Sequence, residues 1–298
     1  MEVSEISHRI IADLLATRSG QQLTEGRRWR IASALSGIFR ERGLSNVDQL
    51  VCLLAEPKGD ELAREVVEAL LNNETYFYRD RAMFELLDQH VLAALAKRRI
   101  DSKRLSIWSA GCSSGQEALS LAMIFAEHPQ RWAGWHIEIH GTDVSHQAIK
   151  TARQGSYSQF EIQRGLGVSQ MLNHFEECSG GWQASRKLQS MIRFKVGNIL
   201  DPVEQSHRHD LVLCRNVLLY FDEPTRERAF CRLSQNMAHD GSLMLGAGET
   251  AVGRTGGIFA PSPEHQGLYA RTTQNSASKR WTNDQADESP RYLLKSPA

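Results

Sequence analysis

The chain has 298 residues, of which 41% are hydrophobic and 23% charged. It is therefore long enough and apolar enough to bury a full core, which excludes a largely disordered chain. Its 35 Lys and Arg residues balance its 35 Asp and Glu residues, so the net charge gives no reason to expect nucleic acid or an anionic membrane surface as a partner.

The cysteines and the N-terminus indicate where the protein works. Five cysteines are scattered along the chain without the close Cys/His spacing of a zinc site, so we expect reduced thiols and no metal ion. The opening MEVSEISHRI lacks a basic start followed by an apolar core, and no apolar run approaches the ~18 residues that span a bilayer. We expect a cytoplasmic protein without direct membrane insertion.

The first 70 residues carry apolar side chains at helical spacing. A second helix is predicted over Thr24–Arg42 with Gly43 as its C-cap, and Ser45 is predicted to cap the next helix. A fourth helix is predicted over Glu61–Leu71. Residues 1–70 are therefore expected to form an all-helical N-terminal domain.

Basic residues accompany the second predicted helix: Arg27, Arg28, Arg30, Arg40 and Arg42. They would suit an acidic partner, but a solvated helix face explains the same pattern and is favoured by the pattern alone.

A polar and aromatic segment follows the helices. Asn72–Thr75 is typical of a turn, and the aromatic residues Tyr76–Tyr78 come directly before Arg79. Aromatic rings beside an arginine are common in ordinary cores, where the guanidinium stacks on them. The position between a helical region and a β/α region also suits a lid or the wall of a site.

Residues 105–127 predict a strand, a tight loop and a helix. Leu105–Ser109 is a short apolar run, the loop Ala110–Gly115 includes Gly111, and apolar residues recur at helical spacing after Glu117. In doubly wound α/β folds, a small-residue loop at this point contacts a nucleotide-type ligand. Any compact βα turn also requires small residues, and this loop lacks the GxGxxG pattern, so the loop alone is weak evidence for a ligand.

A second strand, His136–Asp143, ends in a carboxylate. An acidic residue at this place in nucleoside-binding folds accepts hydrogen bonds from the ribose hydroxyls. Asp143 could instead cap the next helix, but Ser145 is also available for that role. We therefore favour the ligand role for Asp143.

The rest of the chain continues the β/α alternation with one interruption. Residues 155–188 suggest an inserted subdomain that contains β-strands, and further strands are predicted near residues 192, 210, 243 and 267. A mainly parallel sheet is expected, with ligands at the carboxyl ends of its strands. We place a catalytic domain at 71–272 and a disordered tail at 273–298, where the composition becomes polar.

The absence of several sequence motifs limits the classes of ligand that the site would bind. The chain has no GKS/T phosphate loop and no GxSxG nucleophile elbow. A small-residue loop and a strand-end acid without phosphate-binding residues fit a nucleoside ligand that lacks phosphates, of which S-adenosylmethionine is the common one. Arg79 and Glu117 are suitable contacts for its methionine carboxylate and amino groups.

Three segments together resemble the CheR family, the chemotaxis receptor glutamate O-methyltransferases. They are NNETYFYRD from Asn72, WSAGCSSGQEALSLA from Trp108, and LVLCRNVLLYFD from Leu211, the most specific of the three. RGLGVSQMLNHF and LMLGAGE also fit in order and spacing. The resemblance extends over about residues 10–271.

This resemblance implies a fold and an activity. The fold would be α/β: a Rossmann-like class I methyltransferase domain with a mainly parallel sheet and a small inserted β-subdomain, preceded by an all-helical N-terminal domain. The activity would be methyl transfer from S-adenosylmethionine to glutamate side chains of a methyl-accepting chemoreceptor, giving a glutamate methyl ester and S-adenosylhomocysteine. The cytoplasmic domain of that receptor would be the partner, and we expect the protein to be a monomer.

The resemblance also implies site residues. The cofactor site would be lined by Asn73, Thr75, Arg79, Gly111, Glu117, Asp143, Asn198, Ile199, Arg215 and Asn216. Arg79 and Tyr220 would be catalytic, orienting the incoming carboxylate and the methyl donor. As plainer alternatives, Tyr220 would be a core aromatic beside Phe221 and Arg215 an ion-pair residue of the fold.

The chain departs from the family at two places. The family usually has two glutamates and Pro-Tyr where this chain has Gln116, Glu117, Ala118 and Leu119. Its basic helix is thinner here, with Ser33, Ser36 and Gly37 at places where arginine is expected. Two alternatives therefore stay open: a regulatory module that binds S-adenosylmethionine with little turnover, and a methyltransferase for another carboxylate.

Overall fold

The computed structural model describes residues 5–24, 26, 29–56, 59–202, 208–253 and 255–272. The predicted disordered tail, 273–298, lies outside these residues, as do Arg27 and Arg28 of the predicted basic helix. Within the described ranges, every helix is too short or too polar to cross a bilayer.

Short helices form the N-terminal region, as predicted. They are α1 (Glu5–Ser19), α2 (Arg30–Ala34), α3 (Ser36–Arg42), α4 (Val47–Leu54) and α5 (Gly59–Leu70). Their apolar faces meet in a common core that includes Ile11, Leu35, Leu50 and Val66, all fully buried. The region therefore has a hydrophobic core of its own.

Two details of the helical prediction are wrong. The segment Thr24–Arg42 is not one helix, because the helix begins only at Arg30 and is interrupted at Leu35, whose ψ of 1° departs from helical geometry. The cap of α4 is Asn46, whose side chain accepts from the N–H of Gln49 at 2.9 Å. Ser45 precedes it, and its N–H donates to the Gln49 side chain at 2.7 Å. The C-cap Gly43 is in the left-handed conformation, φ 65°, as predicted.

The remaining elements follow in alternation. In chain order they are α6 (Arg81–Leu86), a π-turn (Leu87–Val91), α7 (Leu92–Arg98), β1 (Arg104–Ala110), α8 (Gln116–Glu127), β2 (His136–Asp143), α9 (His146–Gln154), β3 (Ser156–Tyr157), α10 (Gln159–Gln163), α11 (Val168–His174), β4 (Phe175–Cys178), β5 (Gly181–Ala184), α12 (Arg186–Ser190), β6 (Ile192–Val196), β7 (His209–Cys214), a 3₁₀ turn (Leu218–Tyr220), α13 (Glu223–Gln235), β8 (Met237–Leu245), β9 (Phe259–Pro261) and β10 (Leu268–Arg271).

Within the described ranges, seven strands form the central sheet, in the order β6-β2-β1-β7-β8-β10-β9. Strands β6, β2, β1, β7 and β8 are mutually parallel, whereas β10 is antiparallel to both of its neighbours. The prediction of a mainly parallel sheet is confirmed, and each predicted strand is present. Strand β9 escaped prediction because three residues are too few to show a periodicity.

The interruption at 155–188 contains a separate antiparallel sheet, β3-β5-β4, together with α10 and α11. An aromatic cluster joins it to the main domain. The Phe77 ring makes edge contacts with the rings of Tyr157 and Phe175, at centroid distances of 5.1 and 5.4 Å. This inserted subdomain therefore packs on the segment that follows the N-terminal helices.

Alternation along β1 divides the core between the two faces of the sheet. Leu105 and Ile107 pack in a cluster with residues of α8, while Trp108 and Ala110 pack with residues of α13. Burial on both faces leaves the ends of the strands as the place where polar side chains can reach solvent.

The N-terminal region rests on the carboxyl edge of this sheet. Val144, just after β2, packs against Leu15 and Val67 of the helices. Asn198, beyond β6, donates from Nδ2 to the carbonyl of Arg18 at 3.2 Å. The helices therefore close one side of the space above the strands.

Candidate active site

A cleft lies at the carboxyl ends of four strands. Gly111 follows β1, Asp143 ends β2, Asn198 follows β6 and Arg215 follows β7, and all four line the cleft. The space between these residues, about 780 Å³, is open to solvent. Ligands of doubly wound folds bind at this edge of the sheet.

The cleft brings together all of the residues predicted for the site. They are Asn73, Thr75, Arg79, Gly111, Glu117, Asp143, Asn198, Ile199, Arg215, Asn216 and Tyr220. Their roles toward cofactor and substrate stay predictions.

Glycine is required at position 111 by the backbone. Its φ is +78°, and an added Cβ would come within 2.4 Å of Val217 Cγ2. The N–H groups of Gly111 and Cys112 both donate to the carbonyl of Thr142, at 2.8 and 3.0 Å. The loop is thereby fixed against the end of β2, and its backbone approaches the cleft closely.

Asp143 is 9% exposed and already holds two backbone groups. Its Oδ2 accepts from the N–H of Ser113 at 2.8 Å and its Oδ1 from the N–H of Ser145 at 2.9 Å. Burial raises the pKa of Asp143, although these hydrogen bonds act in the opposite direction. Ser145 caps α9 by accepting from the N–H of Ala148, so the cap role weighed for Asp143 belongs to Ser145.

Arg215 is the centre of a buried ion-pair network. Its side chain is 2% exposed and donates to Glu117 at 2.9 Å and to Asp80 at 2.5 Å, while Glu117 also accepts from Ser109 Oγ at 2.7 Å. Arg215 is therefore an ion-pair residue of the fold, as the plainer interpretation has it, and it also lines the cleft. Among the described residues, its buried Nε has no hydrogen-bond partner.

Arg79 belongs to a more exposed arrangement. Its Nη1 donates to the carbonyl of Glu74 at 2.7 Å, and its guanidinium lies 5.7 Å from the centroid of the Tyr76 ring. Arg164 of the inserted subdomain contacts the same two residues, pairing with Glu74 at 2.7 Å and stacking 4.3 Å from the Tyr76 centroid. The hydrogen bond from Arg164 lowers the pKa of Glu74. The Arg79 side chain is thus held by exposed contacts, whereas the backbone of its segment is anchored by buried ones: Arg215 Nη2 donates to the Arg79 carbonyl at 2.8 Å, and the Tyr78 N–H donates to Ser120 Oγ at 2.9 Å.

Tyr220 is half-buried on the 3₁₀ turn after β7, and its hydroxyl accepts from Asn72 Nδ2 at 2.5 Å. The buried core aromatic at this place is its neighbour Phe221, 5% exposed. The N–H of Gln22 donates to the carbonyl of Tyr220 at 2.7 Å, so the N-terminal region also supports this turn.

Sequence reasoning missed two cleft residues from the N-terminal region, Ser19 and Gln21. Between them, Gly20 has φ +81°, and an added Cβ would lie 2.7 Å from Leu200 Cδ1. The glycine after the helix was a usable signal for a close approach. Its partner is distant in sequence, so no local pattern revealed what approaches it.

The departure from the family at Gln116 lies behind the cleft. Gln116 is 2% exposed, and its side-chain oxygen accepts from Ser114 Oγ at 2.9 Å. Glu117 lines the cleft, whereas Gln116 does not.

The part of the chain that the structure describes contains no group of three or more His, Cys, Asp or Glu residues placed to hold a metal ion.

Among the described residues, the strand order, the reversed strand β10 and the cleft at the strand ends are those of the class I methyltransferase fold. The sequence profile described as "CheR methyltransferase, SAM binding domain" matches residues 73–262. The chain therefore belongs to the CheR methyltransferase family, as its motifs predicted, and it is an enzyme that uses S-adenosylmethionine.

Curated relatives match most of the chain. "Chemotaxis protein methyltransferase 1" of Pseudomonas aeruginosa is 31% identical over 84% of this chain and 92% of its own length. "Chemotaxis protein methyltransferase Cher2" of Pseudomonas putida is 31% identical over 78% of this chain and 86% of its own length. "Chemotaxis protein methyltransferase" of Borreliella burgdorferi is 30% identical over 78% of this chain and 84% of its own length.

Proposed function

We propose that the protein methylates glutamate side chains on the cytoplasmic domain of a methyl-accepting chemoreceptor, producing glutamate methyl esters and S-adenosylhomocysteine. The carrying observation is that Arg79 and Tyr220 share one cleft with the acids Glu117 and Asp143. The chemotaxis role named for the relatives supports the same substrate class.

The cleft residues fit S-adenosylmethionine, which when bound supplies an electrophilic methyl group on a sulfonium. Each carboxylate oxygen of Asp143 accepts one backbone hydrogen bond and keeps capacity for a ribose hydroxyl. The Gly111 loop would hold the methionine part together with Glu117. The partnerless Nε of Arg215 is a buried donor that an anionic ligand group would satisfy.

Methyl transfer to a carboxylate requires little acid–base catalysis from the protein. A glutamate carboxylate is ionised at neutral pH, so it attacks without a general base. Arg79 would orient that carboxylate through charge-assisted hydrogen bonds, and Tyr220 would fix its position beside the methyl donor. Acceleration then comes from alignment and from exclusion of water. The N-terminal residues Ser19 and Gln21 contribute to that exclusion by closing one side of the cleft.

The test is methyl transfer to a receptor. The purified protein is incubated with methyl-labelled S-adenosylmethionine and receptor cytoplasmic fragments from the same organism. Base-labile label on glutamate is expected, with strong loss for Arg79→Ala and no label on a fragment whose labelled glutamates are changed to glutamine. Absence of label from every receptor would refute the proposal, and label on another carboxylic acid would support the alternative substrate class.

A further inference from the structure

Glu249 lies outside the predicted site but binds its backbone. The carboxylate accepts five backbone N–H groups: Oε2 accepts from Asn216 at 2.7 Å and Gly246 at 2.9 Å, and Oε1 from Val217 at 2.9 Å, Leu218 at 2.7 Å and Leu219 at 3.3 Å. Four of these donors belong to the consecutive residues 216–219, which directly follow Arg215 at the end of β7.

This segment needs an external acceptor. Asn216 has φ +59°, in the left-handed region that residues other than glycine adopt at a cost, which is smaller for asparagine than for most. The 3₁₀ turn that follows leaves its first N–H groups without partners inside the turn. A carboxylate at this position satisfies those donors and is favoured by the partial positive charge of aligned N–H groups.

The held segment is also a wall of the cleft. Asn216, Val217 and Tyr220 line the cleft, whereas Glu249 does not. The fit around the carboxylate is close, since a Cβ added at Gly246 would lie 2.8 Å from Glu249 Oε2 and 3.0 Å from the Asn216 nitrogen. The end of β8 and the end of β7 are thus joined through one side chain.

We propose that Glu249 is a positioning residue for cofactor binding: its carboxylate fixes the 216–220 segment in the conformation that presents Asn216, Val217 and Tyr220 to the cleft. The inference rests on the proposed roles of Asn216 in holding the cofactor and of Tyr220 in orienting the methyl donor. Glu249 acts through the backbone of that segment and makes no contact with the cofactor itself.

A glutamine cannot replace this carboxylate. Its amide has a single acceptor oxygen, and its NH₂ group would face N–H donors. Glu249→Gln therefore leaves backbone donors unpaired, and the segment loses its preference for the strained conformation at Asn216. Glu249→Asp keeps the charge on a shorter side chain, so it retains part of the interaction.

The primary experiment measures the affinity for S-adenosylhomocysteine by calorimetry alongside the melting temperature. Glu249→Gln is expected to weaken binding at least tenfold and Glu249→Asp less. Gly246→Ala, which displaces the carboxylate without removing it, should weaken binding in the same direction. The matched control is Glu161→Gln, because that carboxylate also accepts a backbone N–H, from Ser158 at 2.9 Å, but lies in the inserted subdomain away from the cleft lining.

The control separates positioning from general stability. Even if Glu161→Gln lowers the melting temperature as much as Glu249→Gln does, its affinity for S-adenosylhomocysteine should stay within twofold of that of the parent protein. Equal affinities in both variants, with folded protein confirmed by hydrogen exchange, would overturn the positioning role. If Glu249→Gln does not fold, Glu249→Asp and Gly246→Ala decide the question in the same way.

A further variant distinguishes this role from the site assignment. Asn216→Gly keeps the positive φ without strain and removes only the side chain. If it weakens binding while the Glu249 variants do not, the site assignment stands and the positioning role fails. If Asn216→Gly and Tyr220→Phe both leave binding unchanged, the assignment of this wall to the cofactor is itself wrong.

Discussion

The two walls of the cleft are built on different physical principles. The strand-end wall, which comprises Gly111, Asp143, Arg215 and Asn216, consists of backbone and charges that the fold has already buried and paired. The loop wall, residues 72–79, is anchored by the buried aromatic rings of Phe77 and Tyr78, and its outer side is held by exposed contacts from Arg164 of the inserted subdomain.

The two walls also differ in the exposure of their arginine ion pairs, Arg215 with Glu117 and Arg164 with Glu74. The Arg215 side chain is 2% exposed, whereas the Arg164 side chain is 42% exposed. Removing one partner of a buried pair leaves an unpaired charge at low dielectric, whereas an exposed pair is screened by water. The variants below should therefore differ most at the strand-end wall.

The largest effect is expected for Arg215→Ala, because it leaves the carboxylate of Glu117 without its buried partner. The free energy of unfolding should fall by about 3–5 kcal/mol, and affinity for S-adenosylhomocysteine should fall with it. Urea denaturation measures the first quantity and calorimetry the second. The double variant Arg215→Met with Glu117→Gln should regain stability but not affinity; recovery of both would remove the pair from the cofactor site.

Asp143→Ala should weaken cofactor binding by ~1.5–3 kcal/mol, the scale for losing charge-assisted hydrogen bonds. Calorimetry with S-adenosylhomocysteine checks this, with Asp143→Asn as the variant that keeps the shape. An unchanged affinity in both would exclude Asp143 from the site.

The raised pKa of Asp143 also predicts two opposite pH dependences. The folded state binds this proton more tightly than the unfolded state, so the contribution of Asp143 to stability decreases as pH rises from the ordinary pKa through the raised one. Ribose hydroxyls donate to the ionised form, so cofactor affinity should decrease as pH falls into the same window. Asp143→Asn should remove both dependences; a parent affinity that is flat across that window would contradict them.

Tyr220→Phe should have a smaller effect, because it removes the hydroxyl that accepts from Asn72 and leaves the ring. One neutral hydrogen bond is worth about 1 kcal/mol, or roughly fivefold in kcat/KM. Steady-state kinetics with a receptor fragment measures it. Tyr269→Phe is the control, since its hydroxyl neighbours Thr250 outside the cleft lining; equal effects in the two variants would argue against a catalytic role for Tyr220.

The smallest effect is expected for Arg164→Ala. Its exposed pair with Glu74 should contribute at most ~1 kcal/mol to the free energy of unfolding. Because the pKa of Glu74 is lowered in the folded state, this contribution is present above the ordinary pKa and is lost as pH falls through the lowered one. Denaturation curves at neutral and acid pH test it. A loss comparable to that of Arg215→Ala would abolish the contrast between the two walls.

How well the sequence predicts a feature depends on how far apart along the chain its interacting residues lie. The strands, the small-residue loop and the acid at the end of β2 were found because their patterns are local. Asn73 was assigned to the site by resemblance to a family, and Arg79 by its charge and place in the chain, because segment 72–79 is irregular backbone without a periodicity. The break at Leu35 and the cap at Asn46 were missed, because helix ends depend on hydrogen bonds that several neighbouring residues compete to make.

The sequence by itself determined the doubly wound domain, its family and those cleft residues that lie in its motifs and at its strand ends. It did so because periodicity and short motifs are written in neighbouring residues, and because parallel strands bring their carboxyl ends to one edge. Only the tertiary structure decided that Ser19 and Gln21 close the cleft, that Arg164 holds the loop wall, and that Glu249 gathers the backbone after β7. These contacts join residues that are distant along the chain, and their geometry exists only once the core has packed.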